Sequence, residues 1–242
     1  MTISPKYSFL LALFFLCFNF ALIAKPFEST YEPLPSVNVL IKNANIYDGE
    51  GNELLQTDIL INDRKIAAIG KDLPVTDDFE VIDAFGKWVT PGIIDIHSHM
   101  GVYPAPGVRT SSDGNEATSP VTADVWAEHS MWVQDPQYTL ALSGGVTAFH
   151  VLPGSANLIG GRGVTVKNLQ RNTINSMKFP DAPHSLKMAC GENPKRVYGN
   201  RQQAPSTRMG NIAGYRKAWI EAEGYLNRLN EYESKSDEAK EM

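Results

Sequence analysis

The segment that decides the predicted fold is Thr90-Pro91-Gly92-Ile93-Ile94-Asp95-Ile96-His97-Ser98-His99. Its isoleucines follow a Pro-Gly step and predict a short buried strand that ends in two histidines separated by one residue. Because side chains alternate across a strand, His97 and His99 point to the same side. Two imidazoles on one side can bind one metal ion, and imidazole suits zinc. The alternative is a pair of ordinary polar residues at a strand end, but the apolar residues and the Pro-Gly step favour metal ligands.

Beyond residue 89 the sequence alternates short apolar strands with helical segments. Strands are predicted over Ile93–His99, Val146–Leu152 and Leu186–Cys190, and a helix over Asp135–Ser143. This alternation predicts a parallel α/β architecture, since a continuous apolar run is typical of a parallel strand that is covered on both faces.

The carboxyl-terminal part of the chain predicts one long amphipathic helix. Its start can be capped by Ser206 or Thr207. Its apolar residues recur at steps of three and four, as on one helix face. They are Ile212, Tyr215, Trp219, Ala222, Leu226 and Leu229.

Residues 37–88 predict a succession of short strands with few helices. Two of them, Ile59–Ile61 and Ile66–Ile69, flank the turn Asn62–Lys65, which is typical of a hairpin. A sheet segment of about fifty residues is too small to carry much chemistry alone.

Several blocks of the sequence resemble the amidohydrolase superfamily, in which an Asp-x-His-x-His pattern follows Pro-Gly on the first barrel strand. The blocks are similar to the branch of imidazolonepropionase-related amidohydrolases, and the resemblance extends from about residue 37 to residue 220. Besides the segment quoted above, they are Tyr47-Asp48-Gly49-Glu50-Gly51, Asp58 to Gly70, Gly144-Gly145-Val146-Thr147, Val151 to Gly161, Lys187 to Gly199, and Pro205 to Gly210.

The resemblance implies a fold in which residues 37–88 form part of a β-sandwich and residues 89–242 form the first part of a (β/α)8 TIM-type barrel. Only three barrel strands are predicted, against eight in a full barrel of about 250 residues. The barrel is therefore expected to be incomplete, and the chain to be the N-terminal portion of a larger enzyme that is inactive alone.

The resemblance also implies a divalent metal, with zinc as the expected ion. His97 and His99 are then metal ligands, whereas the catalytic aspartate is expected beyond Met242. Glu192, which follows the third strand, is the predicted third ligand, since a carboxylate can bind zinc. The alternatives are a carboxylated Lys187, which an extended backbone would place on the opposite face from Glu192, and an ion pair of Glu192 with Lys195 or Arg196.

Four residues are candidates for contact with a substrate. Asn157 and Arg162 lie in the glycine-rich segment 154–163, which is interpreted as a tight loop after the second strand. Lys195 and Arg196 can bind a substrate carboxylate, although a surface salt bridge is the equal alternative.

The remaining histidines and the cysteine of the mature chain are interpreted as structural. His129, His150 and His184 have no partner at ligand spacing in the sequence. Cys190 is expected to be a small buried apolar residue.

The amino terminus predicts export. Residues 1–24 resemble a signal peptide, with Lys6 before the apolar run Phe9–Ile23 and cleavage expected near Ala24. An uncleaved anchor is the alternative, but the run is short for a membrane span of about twenty residues. Residues 25–36 contain three prolines and are expected to be an extended linker. The mature protein is thus expected in the periplasm or secreted, with no stable membrane span.

Composition leaves the partners largely open. The chain has 242 residues and a net charge of −5, which gives no electrostatic support to nucleic-acid binding. We expect a small-molecule substrate, and homo-oligomerisation of the full-length protein stays open.

Together these features predict an exported metal-dependent amidohydrolase that hydrolyses carbon–nitrogen bonds, such as those of cyclic amides or small peptides. The alternatives are a non-catalytic remnant that binds metal or a partner, and an enzyme similar to the N-acetyl sugar deacetylases.

Overall fold

The computed structural model describes the backbone of residues 26–241 and the side chains of residues 26–235. The predicted signal peptide lies outside these residues. Within the described part, no helix combines the length and the hydropathy needed to cross a membrane. The strands are β1 Val39–Tyr47, β2 Glu53–Asn62, β3 Lys65–Gly70, β4 Glu80–Asp83, β5 Trp88–Val89, β6 Ile93–Ser98, β7 Val146–Val151, β8 Ile159–Lys167 and β9 Ser185–Met188. The α-helices are α1 Gln137–Ser143, α2 Glu192–Gly199 and α3 Arg208–Glu241, and short 3-10 turns lie at Arg109–Ser111 and Ala127–His129.

Strands β1 to β5 form one sheet in the order β3-β2-β1-β4, with β5 also paired to β1. The predicted hairpin is confirmed, because β2 and β3 are antiparallel and Asn62 pairs with Lys65. The two residues between them, Asp63 and Arg64, have φ of 47° and 63°, as a two-residue turn that matches the strand twist requires. The β-sandwich that the resemblance implies stays a prediction.

Strands β6 to β9 form a second sheet in the order β6-β7-β8-β9. β6 and β7 are parallel, whereas β8 is antiparallel to both of its neighbours. β9 therefore runs in the direction of β6 and β7, as predicted for a third strand. The three predicted strands are thus parallel in direction, but the sheet is mixed, because the antiparallel strand β8, which was not predicted, separates the second of them from the third.

The second half of the segment 154–163, predicted to be a loop, belongs to strand β8. Its glycines allow close packing in the strand. Gly161 has a φ of 112°, and a Cβ atom there would lie 2.6 Å from the carbonyl oxygen of Val125. Glycine is therefore required by a close backbone approach, which a pattern-based reading mistook for a loop signal.

The main apolar core lies around β7 and β8. It consists of Val102, Ala127, Tyr138, Phe149, Val151, Val164, Val166 and Met177. By contrast, the predicted burial of β6 was wrong, because Ile93, Ile94 and Ile96 are 51%, 62% and 77% exposed. β6 is the edge strand of its sheet, and its isoleucines are left uncovered within residues 26–235.

The long helix α3 confirms the predicted carboxyl-terminal helix and its cap. The Thr207 hydroxyl accepts a hydrogen bond from the Gly210 backbone N–H at 3.0 Å, which satisfies one of the free donors at the helix start. Part of the apolar stripe is uncovered, since Ile212, Trp219 and Leu226 are each more than half exposed.

The predicted linker has no regular secondary structure in residues 26–36, but part of it is docked. Lys178 Nζ donates to the Phe27 carbonyl at 2.6 Å, and the Thr30 N–H donates to the Asn175 carbonyl at 3.0 Å. The Lys167 ammonium lies 4.8 Å from the centre of the Tyr31 ring. The segment is therefore anchored to the second half of the chain rather than free.

Candidate functional site

The two histidines of the quoted segment lie together at the carboxyl end of β6. His97 is within the strand and His99 is the first residue after Ser98. Their ring centres are 5.2 Å apart. The Asp95 carboxylate accepts a hydrogen bond from the His97 backbone N–H at 3.0 Å. The aspartate of the Asp-x-His-x-His pattern thus stabilises the end of the strand that carries the two imidazoles.

The ring orientation of His99 is fixed by the neighbouring strand. Its Nδ1 lies 2.8 Å from the carbonyl oxygen of Leu152, which follows β7. A carbonyl oxygen can only accept, so Nδ1 carries the hydrogen in this contact. The neutral ring then has its lone pair on Nε2, which is the usual arrangement of a histidine that binds a metal.

Lys187 is the residue that the fold brings to His97. Its Nζ lies 3.0 Å from His97 Nε2. The charge of Lys187, together with burial, lowers the pKa of His97, and burial lowers the pKa of Lys187 itself. Glu192 was predicted as the ligand in preference to Lys187 because it lies further toward the carboxyl end of the third predicted strand. The contact between a lysine on β9 and an imidazole on β6 depends on the strand order, which the sequence does not show.

Glu192 is placed elsewhere. It begins helix α2, and its Oε1 lies 2.9 Å from Arg196 Nε, with both side chains more than half exposed. This is the ion pair that the sequence offered as the alternative to a ligand role. The predicted strand also ends earlier, at Met188 instead of Cys190. Glu192 as a metal ligand stays a prediction, and no contact between it and the two histidines supports it in the described part of the chain.

Asn157, a predicted substrate residue, is instead committed to a loop. Its side chain is 1% exposed. Its amide nitrogen donates to the carbonyls of Glu116 and Ser119 and to the Thr122 hydroxyl, at 2.7, 2.8 and 3.1 Å. The amide nitrogen therefore stabilises the 116–122 loop, and contact of Asn157 with a substrate stays a prediction.

The other three predicted substrate residues lie on two different elements. Arg162 is on β8, where its guanidinium lies 4.6 Å from the centre of the Trp126 ring. Arg196 is paired with Glu192, and Lys195 precedes it on helix α2. Their contact with a substrate stays a prediction. The expectation of a buried Cys190 was wrong, because the thiol is exposed.

The three histidines interpreted as structural all have partners within the fold. His129 and His184 lie near the buried carboxylate of Glu128, with nitrogen–oxygen distances of 3.6 and 3.9 Å. His150 lies on β7 and contacts two hydroxyl groups, of Thr165 and Ser185. The contacts of His150 could not be read from the sequence, because they join residues on three different strands.

A cavity of about 500 Å³ lies among the loops that follow β6 and β7. Val102 and Pro153 line it, and they come shortly after His99 and directly after Leu152 in the chain. Volumes of about 300 to 1,000 Å³ are usual for small-molecule sites. The cavity is therefore large enough for a small molecule, but its lining does not include His97, His99 or Lys187.

Comparison with known proteins assigns the superfamily, although no model of a protein family matches the chain. A crystal structure of an amidohydrolase from Thermotoga maritima MSB8 superimposes with a TM-score of 0.73 at 39% sequence identity, over 79% of this chain and 49% of that chain. The amidohydrolase tasK of Hapsidospora irregularis is 34% identical over 219 residues. This chain belongs to the amidohydrolase superfamily. The likeness to the Thermotoga structure also shows a mixed α/β fold with part of a barrel.

The amidohydrolase relatives are longer than the region matched. The chain spans 22% of the length of tasK and about half of the Thermotoga chain. A dihydroorotase of Lactobacillus helveticus is 44% identical over 77 residues, which is 32% of this chain and 16% of that protein. Members of the superfamily that these comparisons return are hydrolases acting on carbon–nitrogen bonds, whereas the branch within the superfamily is left open.

Proposed function

We propose that this amidohydrolase chain contributes metal ligands to an enzyme that hydrolyses a carbon–nitrogen bond of a small molecule, such as a cyclic amide. The proposed ligands are His97, His99 and Lys187, and the proposed ion is zinc. The observation that carries the proposal is the 3.0 Å contact between Lys187 Nζ and His97 Nε2, beside a His99 whose Nε2 is left free by the bond to Leu152.

Among the described residues, Lys187 is the group that would complete a set of three donors with the two histidines. The described side chains, those of residues 26–235, include no group of three or more His, Cys, Asp or Glu that could hold a metal ion. A lysine amine that reacts with carbon dioxide forms a carbamate and releases a proton, and the carbamate oxygens are anionic donors of the kind that zinc accepts. Carboxylation of Lys187 would therefore add the third donor beside the two imidazoles.

The metal would supply a Lewis acid that polarises the substrate carbonyl and lowers the pKa of water. The residues of this chain would orient the site. Leu152 fixes the tautomer and ring plane of His99, and Asp95 holds the backbone of His97. The cavity lined by Val102 and Pro153 would accommodate the substrate.

Replacing Lys187 with methionine tests the ligand set. We expect zinc affinity to fall by more than about 100-fold, because loss of a direct ligand costs more than the 10-fold to 100-fold typical of outer partners. We also expect the carbamate signal in 13C NMR spectra of protein supplied with labelled bicarbonate to disappear. Zinc per chain, measured by competition with a chromophoric chelator, gives the affinity.

The matched control for this experiment is Lys195→Met, which removes a lysine from a helix outside the proposed ligand set. It should retain both the zinc and the carbamate signal. If Lys187→Met binds zinc as tightly as the wild type, while Glu192→Gln binds it poorly, the ligand is Glu192. That result would favour the enzyme similar to the N-acetyl sugar deacetylases.

Export remains part of the proposal on the strength of the amino-terminal sequence. We expect protein recovered from the producing cells to begin at Lys25, after removal of residues 1–24. Amino-terminal sequencing measures this directly. Recovery of protein that starts at Met1 would contradict the proposal.

A further inference from the structure

An imidazole joins three strands of the second sheet on one face. His150 lies on β7 opposite Thr165 on β8, and its Nδ1 is 2.9 Å from the Thr165 hydroxyl. Its Nε2 extends further and lies 2.6 Å from the hydroxyl of Ser185 on β9. Since β8 lies between β7 and β9, the contact with Ser185 passes over an intervening strand.

A glycine makes this contact possible. Gly163 is the residue of β8 that pairs with Ser185. A Cβ atom at Gly163 would lie 2.7 Å from the Ser185 hydroxyl oxygen and 3.0 Å from His150 Nε2. The distance to Ser185 is too short for a carbon atom and the distance to His150 is a tight contact, so a side chain at this position would displace the Ser185 hydroxyl from its place beside His150.

The same strand carries the proposed third ligand. Lys187 follows Ser185 by two residues on β9, so both side chains lie on the same face. Lys187 pairs with Gly161 of β8 and reaches across to His97 of β6. The position of the Lys187 amine therefore depends on where β9 lies relative to β6 and β7, and the bond between His150 and Ser185 joins β9 to β7.

We propose that His150 is a positioning residue, which holds β9 through Ser185 so that Lys187 reaches the metal site at His97. The inference rests on the proposed function, in which Lys187 is a ligand. His150 is suited to the role because a neutral imidazole has one donor and one acceptor nitrogen, and a hydroxyl group can pair with either. Burial lowers the pKa of His150, which favours the neutral ring.

The test compares two variants that each remove one hydroxyl partner of His150. Ser185→Ala removes the contact with β9, whereas Thr165→Val removes the contact with β8 and keeps the shape of the side chain. We expect Ser185→Ala to weaken zinc binding by the 10-fold to 100-fold that is typical for an outer partner of a metal ligand. Thr165→Val should bind zinc as the wild type does, since the Thr165 hydroxyl contacts His150 from β8 and does not hold β9.

A second pair of variants separates positioning from general stability. His150→Leu should lose zinc affinity and the 13C carbamate signal of Lys187, whereas His150→Gln should recover part of both, because an amide can still pair with Ser185. The midpoint of thermal unfolding is measured for all four variants of the full chain.

The outcomes are distinguishable. Zinc binding that survives in Ser185→Ala and His150→Leu but is lost in Lys187→Met overturns the role of His150 and leaves the proposed function intact. Equal losses in Ser185→Ala and Thr165→Val, parallel to their unfolding midpoints, overturn it as well. A wild-type chain that binds no zinc overturns both the proposed function and this inference.

Discussion

Zinc bound to the chain is expected to fall to background when His97 and His99 are both replaced with asparagine. The two imidazoles are adjacent, with ring centres 5.2 Å apart, and the proposed third donor, Lys187, contacts one of them. Removing both leaves a single donor, whereas zinc sites in proteins use three or four. This is the largest effect that we predict, a change from stoichiometric metal to none, and it is measured as zinc per chain after dialysis.

The control for this prediction is His129→Asn. His129 is a half-exposed histidine near Glu128, outside the proposed ligand set, so its replacement should leave zinc per chain unchanged. Single replacements of His97 and His99 should each lower affinity by more than about 100-fold, beyond the range typical of outer partners. If the double variant retains stoichiometric zinc, the metal is held elsewhere and the proposed site is wrong.

The largest effect on stability is expected at a buried ion pair that the sequence did not reveal. Lys178 Nζ lies 2.6 Å from Glu128 Oε2, and the two side chains are only 5% and 1% exposed. The pair is held by charge, since neither carboxylate oxygen has a well-aligned hydrogen bond among the described residues. Lys178→Met would leave the Glu128 carboxylate buried without its ammonium partner, with the imidazoles of His129 and His184 at 3.6 and 3.9 Å. We expect a loss of about 3 to 5 kcal/mol in the free energy of unfolding, measured by urea denaturation.

Two controls define this expectation. Arg196→Met breaks the exposed pair between Arg196 and Glu192 and should change the free energy of unfolding by less than about 1 kcal/mol. The double variant Glu128→Leu with Lys178→Met removes both charges and should recover most of the loss, because an uncharged buried pair has no desolvation cost. A Lys178→Met protein as stable as the wild type would show that the pair contributes little.

The metal ligands could be predicted in part from the sequence because part of the site is local. His97 and His99 are one residue apart on a strand, and strand geometry alone places them together. The third donor was missed because it is not local. Lys187 lies ninety residues after His97. Its approach to His97 depends on the order of the four strands β6 to β9 and on the absence of a side chain at Gly161, the residue of β8 that pairs with Lys187.

The wrong predictions about the fold also arise because tertiary contacts are not visible in a short segment of sequence. Glycines at 160, 161 and 163 are typical of a loop, but in the sheet they allow close approach of other parts of the chain, such as the Val125 backbone at Gly161 and the Ser185 side chain at Gly163. The isoleucines of β6 are typical of a buried strand, yet burial depends on what covers the strand rather than on its own residues. The docked segment around Phe27 looked like a free linker, because its hydrogen bonds go to residues about 150 positions away.

The sequence by itself determined the local elements: the hairpin at Asn62–Lys65, the cap at Thr207 and the pair of histidines at the end of β6. These depend on contacts between residues a few positions apart, so their physical causes are present in a short segment. Only the tertiary structure decided that Lys187 rather than Glu192 lies beside His97, that His150 joins β7 to β9, and that Glu128 and Lys178 form a buried pair. Those contacts depend on strand order and direction, which no short segment specifies.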